Sequence, residues 1–300
     1  MEAPPPPSRA GVLVDYHTHP ARVPEGLPAG EHAAHFLASM AAYAARAAAL
    51  GLAELGFSEH IYRLTIAPDV VPWKDGSTPR GEIAAYVRAA LELAEAQERK
   101  RARGEAAPVI RLAMEVDVVP STAQLLEAAL ARFPFDYILG AVHVVPDLPE
   151  GAGPEETYVA YYATLQWAAR SGLFQSIAHP DRIHRRLAPV APDFLEDLMA
   201  ETARVLAASG TSIELSGSGI RGGFAGIDPH QTFVRLCHHH GVTVTLGSDA
   251  HRLEVVGEGL PAAGDLLRRA GYRELATYVR GRRLLHPLPA PDAARTGKTA

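Results

Sequence analysis

Along the chain, short runs dense in Val, Ile and Leu alternate with longer stretches in which apolar positions recur every three or four residues. The short runs lie at 11–16, 53–58, 109–118, 136–145, 175–179, 211–216 and 242–247, and each reads as a buried strand. A helical period follows each of them after a loop, at 31–50, 80–103, 121–132, 155–171, 192–208, 229–240 and 260–270. Gly51, Gly172, Gly210 and Gly241 stand just past four of these helices, where a left-handed residue ends a helix without strain. Thr122, Pro192 and the pair Asp228-Pro229 stand at starts, as capping or first-turn residues. Seven strand-then-helix units without a linker predict an α/β fold: a parallel sheet with helices outside, closed at this length into a TIM-like (β/α)7 barrel. Residues 1–10, rich in proline, and 289–300 read as disordered tails around a barrel at 11–288.

In a parallel barrel the C-terminal strand ends share one face, and that face carries the chemistry. The first run ends in "DYHTHP", where the strand period of two sends His17 and His19 to one side. The second ends in Glu59 and His60, the third in Glu115 and Asp117, and the fourth in His143. The last three end in His179 and Asp181, in Glu214, and in Asp249 and His251. Every strand thus ends in a potential metal ligand. Imidazoles mixed with carboxylates suit zinc, manganese or iron, and the set exceeds what one tetrahedral ion can use. The expectation is a cluster of two or three divalent ions at the C-terminal ends of the strands.

The other histidines read more plainly. His32 and His35 lie on the first helix and read as solvated or packed. His238, His239 and His240 close a helix just before Gly241, where positive charge complements the helix dipole. His230 and His286 carry no assignment, and His184 either faces the site or sits in a loop.

Composition narrows the classes. An apolar fraction of 47% is ordinary for a globular chain, and a single cysteine, Cys237, rules out an internal disulfide framework and a Cys-rich zinc finger. No apolar stretch has signal-peptide or membrane-span proportions, so the chain reads as cytoplasmic. A net charge of −5, with the one short basic run "ERKRARGE" at a helix end, argues against a nucleic-acid partner. On composition neither a membrane nor nucleic acid is the expected partner, and a homo-oligomer is possible.

With these residues in order, the chain resembles the polymerase and histidinol phosphatase (PHP) family, and within it the monofunctional histidinol-phosphate phosphatases. The matching segments are "DYHTH" (15–19), "GFSEH" (56–60), "MEVD" (114–117), "DYILGAVH" (136–143), "AHPD" (178–181), "IEL" (213–215) and "GSDAH" (247–251), together with "YYATLQWAARSGLF" (161–174). The resemblance implies a distorted seven-stranded barrel. It further implies that His17, His19, Glu115 and Asp249 hold one metal, that Glu115 bridges to a second held by His143 and His179, and that His60 and His251 hold a third. Glu25 occupies the position where the family carries one more ligand. Two departures concern the substrate. Ser216 stands where the phosphatases have Asn, although Arg221 is kept, and the loop "GGFAGIDPHQ" differs from the family's usual segment.

The activity so implied is hydrolysis of L-histidinol phosphate in histidine biosynthesis, with Glu115, Asp249 and His251 as catalytic groups. Arg182 and Arg221 would clamp the phosphate with planar paired donors. Glu214, Asp181 and Glu59 would orient ligating imidazoles. Two other functions remain open at this point: a related metal-dependent phosphodiesterase or exonuclease, and a non-catalytic metal-binding regulator. A phosphoaspartate route is disfavoured because Glu115 holds the nucleophile position. Cys237 lacks the arginine that a cysteine phosphatase needs six residues later. A carbamylated-lysine hydrolase is disfavoured because Lys74, Lys100 and Lys298 all lie off the predicted strands.

Overall fold

The computed structural model describes residues 11–66, 80–221 and 229–290, with the side chains of Ile220 and Arg221 excepted. The expected tails at 1–10 and 291–300 lie outside the described residues, as do the Arg221 side chain, Asp228 and most of the "GGFAGIDPHQ" loop. Seven strands pair in parallel in sequential order: β1 (Val14–Thr18), β2 (Glu54–Phe57), β3 (Val109–Asp117), β4 (Tyr137–Ala141), β5 (Ser176–Ile177), β6 (Ser212–Ser216) and β7 (Val244–Gly247). The principal helices between and after them are α1 (His32–Ala49), α2 (Ile83–Ala102), α3 (Ala123–Leu130), α4 (Pro154–Ser171), α5 (Pro192–Ser209), the single turn α6 (Ser218–Arg221), α7 (Gln231–His239) and α8 (Leu260–Ala270).

The strands are buried along nearly their whole length, as expected of a sheet covered on both faces. The helices each bury one stripe: Phe36, Met40, Ala44 and Ala47 on α1, and Met199, Ala203 and Leu206 on α5. Gly172 and Gly210 end α4 and α5 with φ of 73° and 69°, the left-handed termini that the sequence predicts.

Closure between β1 and β7 is confined to the C-terminal end. There His19 N–H donates to the Ala250 carbonyl at 2.8 Å and Ala250 N–H to the His17 carbonyl at 3.1 Å. Below that point a buried carboxylate does the joining. Asp15 Oδ1 accepts from Ser248 N–H (2.8 Å) and His17 N–H (3.4 Å), and Oδ2 accepts from Gly257 N–H (2.9 Å). An Asp15→Ala chain would leave these donors buried and unpaired, at about 1–3 kcal/mol each. Loss of roughly 3 kcal/mol in a urea titration is expected, and an unchanged midpoint would refute the seam role. Burial pushes the Asp15 carboxyl up while the bonds from Ser248, Gly257 and His17 oppose it. The folded state therefore holds this proton more tightly than the unfolded one. Stability contributed by Asp15 falls as pH rises from its ordinary value towards the raised one, and the advantage over Asp15→Ala narrows over that acid range.

The register of β1 against β2 shifts between Asp15 and Thr18, where three steps on β1 oppose two on β2. The consequence is that Tyr16 and His17, neighbours in sequence, both face the lumen. Tyr16 stacks on Tyr137 of β4 at 4.7 Å between ring centroids, while His17 meets Glu115 of β3 and Glu214 of β6.

The lower mouth of the barrel is sealed by an antiparallel hairpin that the periodicity leaves unassigned, β8 (Glu274–Val279) and β9 (Arg282–Pro287). Its two-residue turn, Arg280-Gly281, holds both residues at positive φ (51° and 75°), which Asn-Gly would have announced and Arg-Gly does not. Gly281 N–H donates to the Asp136 carbonyl at 2.8 Å, and the Arg283 guanidinium to the Gly210 carbonyl at 2.6 Å, both just before strands. Tyr278 of β8 completes a buried aromatic floor with Tyr16 and Tyr137, beside the ion pair of Glu54 and Arg111. The lumen is thus filled from below, and chemistry is left to the upper end.

Candidate metal centre

Glu115, at the end of β3, lies at the centre of the upper face and is almost wholly buried. Its Oε2 faces His17 Nε2 at 3.4 Å, His19 Nε2 at 3.6 Å and, closest, His60 Nδ1. Its Oε1 faces His179 Nε2 at 3.1 Å and His143 Nε2 at 3.5 Å. One carboxylate therefore looks at two different sets of imidazoles. Burial would raise its pKa, yet the imidazoles of His60, His17 and His143 outweigh burial and hold it well below the usual carboxylate range. Asp249 Oδ1 stands 3.4 Å from His19 Nε2, 3.8 Å from His17 Nε2 and 3.4 Å from His251 Nδ1. His251 in turn meets His60, Nε2 to Nε2, at 3.1 Å.

Three sets of ligand atoms, those of His17, His19 and Glu115, of His19, His60 and His251, and of His60, Glu115 and His143, each lie within 4.8 Å of one another. Several atoms aimed into these sets are buried without a hydrogen-bond partner: His17 Nε2, His19 Nε2, His60 Nδ1 and Glu115 Oε2. Leaving so many polar atoms unsatisfied in one place would be costly, and cations at their point of convergence relieve it. The donor set, imidazole with carboxylate, fits divalent transition metal ions.

Around this cluster the imidazoles are held from behind. Glu214 Oε1 receives His17 Nδ1 at 2.8 Å, while its Oε2 accepts from His179 N–H at 2.9 Å. Asp117 Oδ1 holds His143 Nδ1 at 2.7 Å. Glu59 lies 3.5 Å from His19 Nδ1 and accepts from Arg63 at 3.0 Å. Such carboxylates fix the tautomer and the angle of each ring. His179 and Asp249 both have positive φ, 30° and 53°, a conformation uncommon outside glycine and sustained here by the surrounding bonds.

One expected ligand is placed elsewhere. Glu25, expected as a further ligand, is 85% exposed in its side chain and paired with Arg80 at 3.0 Å, so the structure does not bring it to the cluster. Asp181, expected to orient an imidazole, accepts from the backbone N–H of His230 at the start of α7. His184 lies between the hydroxyls of Tyr158 and Tyr162, each at 3.3 Å. His32 is packed, with Nε2 3.1 Å from the Leu27 carbonyl.

Above the cluster opens a cleft of about 410 Å³ whose wall carries Arg22, Arg63, Arg182 and Arg186 beside His60 and His251. Arg182 was expected here and reaches over the cluster, 3.7 Å from Asp249 Oδ2 and 3.4 Å from His179 Nε2. Arg22, Arg63 and Arg186 were not. They come from segments after β1, β2 and β5 with no periodic signature, and only their nearness in sequence to ligands could have suggested them.

Comparison with known proteins adds a family and a structural likeness. The PHP domain model matches residues 32–218. A Deinococcus radiodurans protein described as a probable histidinol-phosphatase is 33% identical over 174 residues, which cover 55% of this chain and 66% of that protein. The chain therefore spans just under two thirds of the length of the curated relative it matches. A histidinol phosphate phosphatase from Lactococcus lactis subsp. lactis Il1403, crystallised with zinc, L-histidinol and phosphate, superposes with a TM-score of 0.67 at 19% identity, over 91% of this chain and 98% of that one. No helix among the described residues is long and apolar enough to cross a membrane.

Proposed function

The chain belongs to the PHP domain family, and on that premise we propose that it is a metal-dependent phosphomonoesterase releasing phosphate from L-histidinol phosphate. The observation that carries the reading is the two-sided setting of Glu115, with His17, His19 and His60 on one oxygen and His143 and His179 on the other. His17, His19, Glu115 and Asp249 would hold one ion, and Glu115, His143 and His179 a second. His60 and His251 would hold a third, without help from Glu25. Zinc, manganese and iron all suit this donor set. Bound ions would supply a water of lowered pKa and neutralise charge on the phosphoryl oxygens.

The chain's own residues do the rest. Glu214, Asp117 and Glu59 keep the ligating rings in their angles, so that little rearrangement is needed when a substrate arrives. Arg182, a quarter exposed in its side chain, leans from the cluster into the cleft, where its planar donors can bind phosphoryl oxygens. Arg22, Arg182 and Arg186 around one opening, with Arg63 paired to Glu59, favour an anionic phosphoester on a chain whose net charge is −5. Burial of the cluster excludes bulk water and strengthens each of these interactions.

The test is phosphate release by zinc- or manganese-loaded protein from L-histidinol phosphate, set against a bis-aryl phosphodiester and a short single-stranded DNA, with His179→Ala as control. Turnover of the monoester alone, lost in the control, is expected. Cleavage of only the diester or the DNA would overturn the monoesterase reading, and full metal occupancy with no turnover of any substrate would point to a regulator.

A further inference from the structure

Three rings of the cluster have a carboxylate on the side away from its centre: Glu214 at His17, Asp117 at His143 and Glu59 at His19. His60 has no such support, because both of its ring nitrogens point at other members of the cluster. Nδ1 faces Glu115, and Nε2 lies 3.1 Å from His251 Nε2. The main chain of His60 is fixed by its N–H bond to Glu59 Oε1 at 2.8 Å, which leaves the ring torsions open. With both nitrogens committed, the angle of this imidazole has to be set through its faces.

Both faces are covered. The His19 ring stacks on His60 with centroids 4.1 Å apart and planes 18° from parallel, and the Tyr62 ring stacks on it at 4.5 Å and 19°. Two rings cannot share one face at these distances without overlapping, so His60 lies between them. Tyr62 belongs to the short turn Ile61–Arg63 that follows β2, and it is buried against the cluster with 7% exposure. Its ring also meets His143 nearly at right angles, at 6.4 Å. The Arg63 guanidinium lies over the Tyr62 ring at 5.9 Å and donates to Glu59, the carboxylate beside His19, at 3.0 Å. One cation thus ties the two ends of the stack together.

We propose that Tyr62 is a positioning residue for His60, and that its ring, by closing the second face of that imidazole, sets the affinity of the ion held by His60 and His251. The inference rests on the assignment of ions proposed above and is independent of which phosphoester is cleaved. His251 is 41% exposed in its side chain, whereas His60 is 5% exposed, so the position depends on how well His60 is held. Without a ring at residue 62 the imidazole is free to turn, and binding an ion would have to order it again. His17 and His143 keep the carboxylates that orient them, so the loss should be confined to one ion.

Titration of metal-free protein with cobalt(II), followed by visible absorption and by elemental analysis after dialysis, tests this without any substrate. In Tyr62→Leu and Tyr62→Ala the weakest class of ion is expected to bind about 10–100-fold less tightly, the range for partners that orient a ligating group. The tighter ions should bind as in wild type. Tyr62→Phe keeps the stacking face without the hydroxyl and is expected to restore wild-type binding. Loss of that ion in Tyr62→Phe overturns the stacking role by itself, even if the other two variants fold poorly. Wild-type binding in Tyr62→Leu and Tyr62→Ala, or an equal loss of every ion, overturns it too. Wild-type protein that takes up no ion overturns the metal reading together with this one, whereas a lack of phosphate release with the ions bound leaves the Tyr62 result standing.

Discussion

Glu115→Gln is expected to leave the barrel folded and to remove activity by on the order of 10³-fold or more, because metal-supplied charge stabilisation is worth several kcal/mol. The side chain keeps its shape, but one of its two oxygens becomes an amide nitrogen that cannot ligate, and the charge between the two sets of imidazoles disappears. His60, His17 and His143 are the groups that hold the Glu115 carboxyl low against its burial. With glutamine in its place they face one another without a counter-charge. Elemental analysis after gel filtration should show loss of the ions on both sides of the residue, beyond the one on the side of the new amide. Wild-type metal content together with wild-type turnover would sink the bridging role.

Gly247→Ala is expected to damage both stability and metal affinity, although the substitution adds a single methyl group. Gly247 ends β7, and a Cβ there would lie 1.9 Å from Glu214 Oε1 and 2.5 Å from the Cβ of His17. Those are the partners of the 2.8 Å bond that sets the His17 ring. Neither can yield freely, since Glu214 also holds the His179 N–H and His17 sits on the barrel seam. Overpacking of this kind costs about 1–3 kcal/mol, and loss of a carboxylate behind a ligating imidazole lowers metal affinity or activity about 10–100-fold. A thermal melt and a zinc titration on the same preparation read the two effects. Wild-type values in both would mean that the strand end has slack not apparent in its contacts.

Much of this site is legible along the chain because strand ends in a parallel barrel converge by topology. Once seven runs are recognised, His60, Glu115, His143, His179 and Asp249 are brought together by the order of the strands alone. The pairing of His17 with His19 follows from the strand period. Glu25 shows the limit of that logic. It lies in the loop after β1, where no period governs direction, and it turns outward to Arg80. Arg22, Arg63 and Arg186 on the wall of the cleft escape sequence reading for the same reason.

The sequence by itself determined the units, their order and the chemistry at their ends, since hydrophobic period and helix-stop residues are local properties of the chain. Tertiary structure decided what depends on register and on contact at a distance. The extra residue between Asp15 and Thr18 turns Tyr16 and His17 inward together, which alternation alone forbids. The Arg280-Gly281 hairpin seals the lower mouth with a turn whose first residue gives no advance sign of its left-handed backbone. Which carboxylate stands behind which imidazole follows from side chains that meet across the barrel, and no spacing in the chain encodes those distances.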